Sequence, residues 1–484
     1  MSSAQMVATG SVSRAMQGPA AIAPPPAAAL EARLRTPAID EVLPVDDRER
    51  FIPLTRNAIA DRLTRQQYWR HGEEKHARRF FRYLSYWRQQ SYAARLLELD
   101  RIYEPFSPDS DLLITRAYTV AERLGLERQL VSQVKSLLEG ANFTRIDPSN
   151  VEMILTKESH YGLDLHVDLE AFDELEIYYR GATKRKASRR SLRKFYLRKE
   201  EYDVPVFQRL FILFKLKPAA KRAREIMLEK GCSLDDAEKI VKRNRSMLPP
   251  EVKSDFVYMK LFKNIPRADI EMVFPNTKVR FRLFDKVKLG VSAGGGLGMG
   301  VIGTASKIAV ATNPVALAGA VAGFGGIAVR QAFAFMNQKN RYMITMAQNL
   351  YFHALADNRG VLSLMATRAA EEDVKEEMLL YTVLAKETVK RCELKDVDHA
   401  IEQYLQNTFG VNLNFDVEDA LSRLLSDGVV VEEADGTLRA LPPGKAAEHI
   451  DMLWDKLLDE LPDIESFEGR EFEPDDDIAD TRDA

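Results

Sequence analysis

The chain has 484 residues, a formal charge of −3 and 29% charged residues, enough for two or three domains. Its two cysteines, Cys232 and Cys392, exclude a disulfide scaffold and suit a reducing compartment. With a balanced charge and a mean hydropathy of −0.28, contact with a membrane or an anion has to come from local segments.

In chain order, residues 1–45 are rich in Ala and Pro ("AAIAPPPAAAL") and read as a disordered arm without the apolar core of a secretory signal. Arg14, with no acid before Glu31, leaves an organelle presequence as the alternative. Residues 46–165 read as helical. In "HARRFFRYLSYWRQQSYAARLLEL" the apolar residues recur at helical spacing, and Phe80, Phe81, Tyr83, Tyr86 and Trp87 are expected mainly as core. Asp109 or Ser110 is expected to cap the next helix, which ends near Gly140. In "HGEEKH", His71 and His76 stand five apart, about 500° around a helix, so they do not form a zinc pair.

Residues 166–285 change to a mixed α+β pattern. "LEIYYRG", "VPVFQRLFILFKL", "SDFVYMKLF" and "TKVRFRLF" read as strands, and "AKRAREIMLEKGCSLDDAEKIVKR" as helix broken at Gly231. "DLHVD" sets Asp164, His166 and Asp168 on one face of a strand; solvated side chains are the expectation, and no metal is assigned. Arg180–Lys199 carries ten Lys or Arg and no acid. Such a run repels itself unless an anion is near. Lys184, Arg185, Lys186, Arg189, Arg190, Arg193 and Lys194 are the candidates for anionic-lipid contact, against the alternative of a solvated loop.

Residues 286–337 hold "LGVSAGGGLGMGVIGTASKIAVATNPVALAGAVAGFGGIAV". Gly298, Gly300 and Gly303 fit the dinucleotide fingerprint, but no Asp or Glu lies between Asp285 and Asp357 to hold a ribose. A phosphate loop fails as well, since Thr304 and Ala305 stand where Lys and Ser/Thr belong. No cofactor is therefore expected. Leu289–Ala311 and Val315–Met336 carry one charge each, Lys307 and Arg330, and are parted by the turn signal Thr312-Asn313-Pro314. Each is about 22 residues, roughly 33 Å as helix, which spans a bilayer core. Gly294, Gly296, Gly298, Gly300, Gly319 and Gly323 fall at i, i+4 spacing for close helix packing. The alternative is a buried soluble hairpin, against which no polar stripe is seen. Arg280, Arg282, Lys286 and Lys288 before the hairpin and Lys339 and Arg341 after it put both flanks on the cytoplasmic or matrix side.

Residues 338–460 read as a long helix with a break at Asn358-Arg359-Gly360, two further helices, and a hairpin turning at Asp435-Gly436. That order is winged-helix-like. Glu393–Leu441 holds eleven acids against Lys395, Arg423 and Arg439, so a protein partner is expected and nucleic acid is not. Residues 461–484 form an acidic tail, expected to be disordered. The expected fold is α+β, mostly α: a helical N-terminal region, a basic α+β domain, a two-helix glycine-rich transmembrane hairpin and a C-terminal helical, winged-helix-like domain.

"FIPLTR" (Phe51–Arg56), "FDELEIYYRG" (Phe172–Gly181), "KLFKNIPRADIEMVFPNTKVRF" (Lys260–Phe281), "YFHALADNRGVLSLM" (Tyr351–Met365), "EEDVKEEMLLY" (Glu371–Tyr381) and "FDVEDALSRLL" (Phe415–Leu425) together resemble the transmembrane protein 143-like family. The resemblance spans about Phe51 to Val430, and "FKNIPRADIEMVFP" is its most specific piece. It implies a membrane protein with a domain of unknown function, mitochondrial in animals and also found in bacteria and plants. It supplies no catalytic residue.

The expected function is an integral membrane protein in a bacterial inner membrane or a mitochondrial membrane. It would act as a non-enzymatic scaffold with both soluble lobes on one side, binding lipid headgroups and an unidentified protein. The competing expectations are an oligomeric glycine-zipper pore, which would make the protein a homo-oligomer, and a lipid-directed enzyme with its site in residues 166–285.

Overall fold

The computed structural model describes residues 48–109, 117–147, 164–190, 199–246, 248–267, 270, 273–275, 278–280 and 350–457. The helices are α1 (Arg56–Leu63), α2 (Glu73–Tyr103), α3 (Val120–Gly140), α4 (Ala219–Lys230), α5 (Leu234–Arg245), α6 (Asn358–Leu384), α7 (Leu394–Phe409), α8 (Val417–Ser426) and α9 (Pro443–Lys456). The strands are β1 (Thr144–Ile146), β2 (Asp164–His166), β3 (Phe172–Arg190), β4 (Lys199–Leu216), β5 (Tyr258–Pro266), β6 (Lys278–Arg280), β7 (Ala354–Asp357), β8 (Val389–Lys390), β9 (Val430–Glu432) and β10 (Thr437–Ala440). The fold is α+β and mostly helical, with antiparallel sheets.

The principal sheet has the order β1-β3-β4-β5-β7. Its central strand β4 carries the run "LFILF", and Leu210 to Phe214 are all buried. Alternate side chains point to opposite faces, so both faces of this strand are covered. On one face Tyr178, Phe211, Leu213, Met259 and Leu261 join residues of α2, α3 and the first half of α6 in one cluster. Gly181 interrupts β3 with a φ of +72°, and an added Cβ would meet the Gln208 side chain at 2.7 Å. Gly181→Val should therefore cost about 1–3 kcal/mol, read as a lowered urea midpoint with an unchanged slope.

A second cluster joins Ile52 and α1 to the first half of α2, the second half of α6, and α7, α8 and α9. The two long helices thus serve both cores, and the described residues form one compact unit. α6 begins without a linker after β7. Asn358 makes the corner with a φ of +45°. Its Oδ1 accepts from the Met259 backbone N–H at 3.0 Å and its Nδ2 donates to Asp109 at 2.7 Å. The break expected at Asn358-Arg359-Gly360 is this strand-to-helix corner. In the C-terminal part a three-stranded sheet of order β8-β10-β9 accompanies α7 and α8, and its hairpin turns at Asp435-Gly436, where Gly436 has a φ of +79°.

Two expectations are corrected. The helix ending at Gly140 starts at Val120, not after Asp109 or Ser110. Thr119 caps it, in a reciprocal box with Glu122. The basic run is not simply a loop: β3 continues through Arg190 and pairs with β4 from Lys199. The transmembrane hairpin gains no support from the helices described. No helix among the described residues is long and apolar enough to cross a membrane. The segment 286–337, with Gly294, Gly296, Gly298, Gly300, Gly319 and Gly323, lies outside the described residues, as do the 1–45 arm and the 461–484 tail.

Candidate functional site

From Glu372 to Thr382 every residue of α6 is buried, and among them are Glu372, Asp373, Lys375, Glu376 and Glu377. A helix enclosed on all sides normally carries apolar residues. Buried charges persist only with partners, and these have partners on several elements packed around α6.

Arg423 of α8 is the centre. Its Nε donates to Glu377 at 2.8 Å and its Nη2 to Glu376 at 2.6 Å. Its Nη1 lies 3.3 Å from Asp373 and also pairs with Asp419. Arg88 of α2 donates to both oxygens of Glu377, at 2.7 and 3.1 Å, and to Asp427 after α8. Tyr92 donates to Asp373 at 2.9 Å, and Asn142 donates to Glu376 at 2.9 Å. Asp373, Glu376 and Asp419 bring carboxylate oxygens within 4.8 Å of one another, a spacing that suits a cation. The cation they face is the Arg423 guanidinium, which contacts all three.

The electrostatics follow from burial. Glu377 is fully enclosed. Burial pushes its carboxyl up to about 7, with the Arg88 and Arg423 charges opposing. Burial likewise pushes Glu376 up to about 8, against Arg423 and Asn142, and raises Asp373. Desolvation works against the Arg423 charge, yet Asp373, Glu376 and Glu377 hold its pKa above the ordinary value.

One turn earlier on α6, Glu372 and Lys375 grip the chain at Ile52. Glu372 accepts from the Ile52 N–H at 3.1 Å, Lys375 donates to the Ile52 carbonyl at 2.7 Å, and the two side chains are 2.7 Å apart. Arg180 of β3 completes this end. It donates to the Ala141 carbonyl at 3.1 Å, lies 3.5 Å from Glu372, and sits 4.4 Å over the Phe51 ring. Burial lowers its pKa. Four segments distant in sequence, "FIPLTR", "YYRG", "EEDVKEE" and "DALSRLL", therefore meet on one helix. Arg180 belongs to this buried seam and not to the basic surface.

The other sequence candidates lie elsewhere. Lys184, Arg185, Lys186, Arg189 and Arg190 occupy the outer end of β3, while Arg193 and Lys194 fall outside the described residues. The register sets Lys186 opposite Asp203 and Arg189 opposite Glu200. β3 and β5 run in the same direction, since each is antiparallel to β4. Thr183 faces Val206, and Val206 faces Pro266. The β3–β4 ribbon beyond that level extends past the Pro266 end of the sheet. β7 runs oppositely, with Ala354 facing Phe262 and Asp357 facing Lys260, so the chain enters β7 from that same end. There His353 lies 2.6 Å from the Lys263 carbonyl, and Tyr351 and Phe352 stand 79% and 67% exposed. Asp168 is held by Arg222 at 3.4 Å. His71 and His76 are exposed.

The seam was missed from the sequence because Glu372, Asp373, Glu376 and Glu377 recur at i, i+4 and read as a solvated face. The available signal was Arg423, a lone cation among acids and flanked by Leu421 and Leu424. No solved structure matches the chain. Over residues 207–360, from within β4 to the first turn of α6, the chain is similar to a family described as a protein of unknown function, DUF3754.

Proposed function

We propose that the protein is a membrane-anchored, non-enzymatic scaffold. In this reading Leu289–Met336 enters the bilayer as a glycine-packed hairpin, and the flanking parts stay together on the cytoplasmic or matrix side. The observation that carries the reading is the common sheet end. The chain returning from the apolar segment enters β7 at the end past which the basic β3–β4 ribbon extends. Exposed Tyr351 and Phe352 stand at the point of return. Aromatic and cationic side chains together suit the membrane–water interface, where cations meet anionic headgroups. The buried seam supports the same reading, because it joins α2, before the apolar segment, to α6 and α8 after it. A segment whose two ends belong to one body has to cross a bilayer an even number of times. The resemblance to the transmembrane protein 143-like family agrees with it.

The C-terminal part then serves as a protein-docking module of winged-helix-like topology. Its α8 keeps Glu418 and Asp419 on the outside and turns its one arginine inward to α6. That face repels phosphate and favours a protein partner over nucleic acid.

The test is alkaline carbonate extraction of membranes from cells that express the protein. The full chain is expected in the pellet, and a variant lacking Leu289–Met336 in the supernatant. Recovery of the full chain in the supernatant overturns the anchor.

A further inference from the structure

Away from the seam and the sheet end, α1 and α2 enclose a cleft of about 380 Å3. Its walls carry Arg56 from α1 and Arg78 and Arg82 from α2, and its floor is Phe81 of α2 with Met378 of α6. Tyr86 stands at the rim, 63% exposed. Arg78 is held in place: it donates to the Thr64 hydroxyl at 3.0 Å, and that hydroxyl donates to the Ala60 carbonyl at 2.8 Å. Asp61, 3.7 Å from Arg78, is the acid of the cleft, and no acid pairs with Arg56 or Arg82 among the described residues. Arg78 and Arg82 are four apart on one helix, a like-charge spacing that is unfavourable by itself.

We propose that this cleft binds a phosphomonoester attached to an apolar or planar group. Three guanidiniums and one carboxylate leave a double positive charge, which a phosphomonoester's charge of about −1.5 to −2 matches. Guanidinium groups present paired N–H donors to phosphate oxygens. The buried Phe81 and Met378 floor and the Tyr86 ring offer apolar contact beside the charge. The volume lies in the range of small-molecule sites, about 300–1,000 Å3. The cleft was unassigned in the sequence because "FFRYLSYW" reads as core aromatics, and Arg56 lies more than twenty positions upstream of Arg78. The proposal does not rest on the membrane reading, since phosphomonoesters occur in lipids and in soluble metabolites alike.

The test is calorimetric titration of the full chain in mild neutral detergent. The probes are phenyl phosphate, phenyl sulfate as its monoanionic counterpart, and short-chain dihexanoyl phosphatidic acid. Saturable binding of phenyl phosphate is expected, with weaker binding of phenyl sulfate. Arg82→Gln and Arg56→Gln should each weaken phenyl phosphate by about tenfold or more, the effect of one lost charged hydrogen bond. Arg79→Gln should leave binding unchanged, because Arg79, although it and Arg82 both lie near the Tyr83 ring at 5.0 and 5.8 Å, does not line the cleft. Tighter binding of the phosphatidic acid identifies a lipid source, and tighter binding of phenyl phosphate a soluble one. Absence of saturable binding by both phosphates, or equal binding by Arg82→Gln and the parent, overturns the proposal.

Discussion

Arg423→Ala should destabilise the protein by about 3–5 kcal/mol at neutral pH, the range found when one partner of a buried ion pair is removed. Arg423 answers Asp373, Glu376 and Glu377, all buried, and its loss leaves them facing one another. Arg88 remains bound to Glu377 and Asp427, so it cannot compensate for Glu376 and Asp373. The cost should shrink as the pH falls through about 8, because Glu376 and Glu377 already sit at about 8 and 7 with Arg423 present and rise further without it, so that the abandoned carboxyls take up protons instead of remaining charged. Arg439→Ala is the control. Arg439 also forms an Arg–Glu pair, with Glu433 at 2.7 Å, but both side chains are exposed. Exposed pairs contribute little, so its urea midpoint should match that of the parent. Equal midpoints for Arg423→Ala and the parent at pH 7 would show that the seam does not hold the structure together. The measurement uses the full chain in mild detergent with urea as denaturant.

The contrast between those two arginines also marks where sequence reading succeeds. Strand β4 was legible because "VFQRLFILF" is too apolar and too rich in β-branched and aromatic residues for anything but a covered strand. The break at Gly231 was legible because glycine there adopts a φ of +60° between α4 and α5. The hairpin at Asp435-Gly436 was legible for the same local reason. The outer half of β3 was not, because its pattern alone gives no apolar face. Its pairing comes from β4, including Glu200 and Asp203, which lie beyond the run itself. The seam was invisible for a stronger reason. Periodicity says that Glu372 and Glu376 share a helix face, but not what covers that face. Asn142, Arg88 and Arg423 arrive from the turn after α3, from α2, and from α8, at sequence separations of 234, 289 and 47. The α1–α2 cleft lies between these cases: both helices are locally readable, but their approach depends on the α6 residues beneath them.

Stability should fall as the pH rises from about 5 to 8, and Glu376→Gln should flatten that fall. The sign follows from proton linkage. Burial raises Glu376 from 4.5 to about 8 and Glu377 from 4.5 to about 7. Between pH 4.5 and 8 the folded protein therefore holds protons that the unfolded chain has already released. Stability declines wherever the folded state binds more protons. The contribution is complete below the unfolded value of 4.5 and is lost as the pH passes through 7 to 8. A tenfold change in proton affinity corresponds to about 1.4 kcal/mol, so the two carboxyls together give an effect of several kcal/mol. The groups facing them are Arg88 and Tyr92 from α2, Asn142, Asp373 on α6, Asp419 and Arg423 of α8, and Asp427. Asp373 is itself raised by burial and adds to the same slope. Exposed acids such as Asp236, held down by the Ser233 hydroxyl, act in the opposite sense and only as the pH falls through the acid range. They lie below the window above pH 5, whereas Asp398 on α7, which burial pushes up to about 6, lies within it outside the seam and adds to the same fall, so the Glu376→Gln comparison isolates the seam's share. Glu376→Gln keeps the side-chain shape and one carbonyl to accept from Asn142 or Arg423, and it removes the proton that the parent loses near pH 8. Urea midpoints at pH 5, 6, 7 and 8 should therefore drop for the parent and stay closer to level for the variant. At pH 8 the variant should be the more stable of the two. A midpoint that rises with pH in both proteins, by the same amount, would mean that Glu376 is ionised in the folded protein throughout this range and that Arg423 offsets its burial completely.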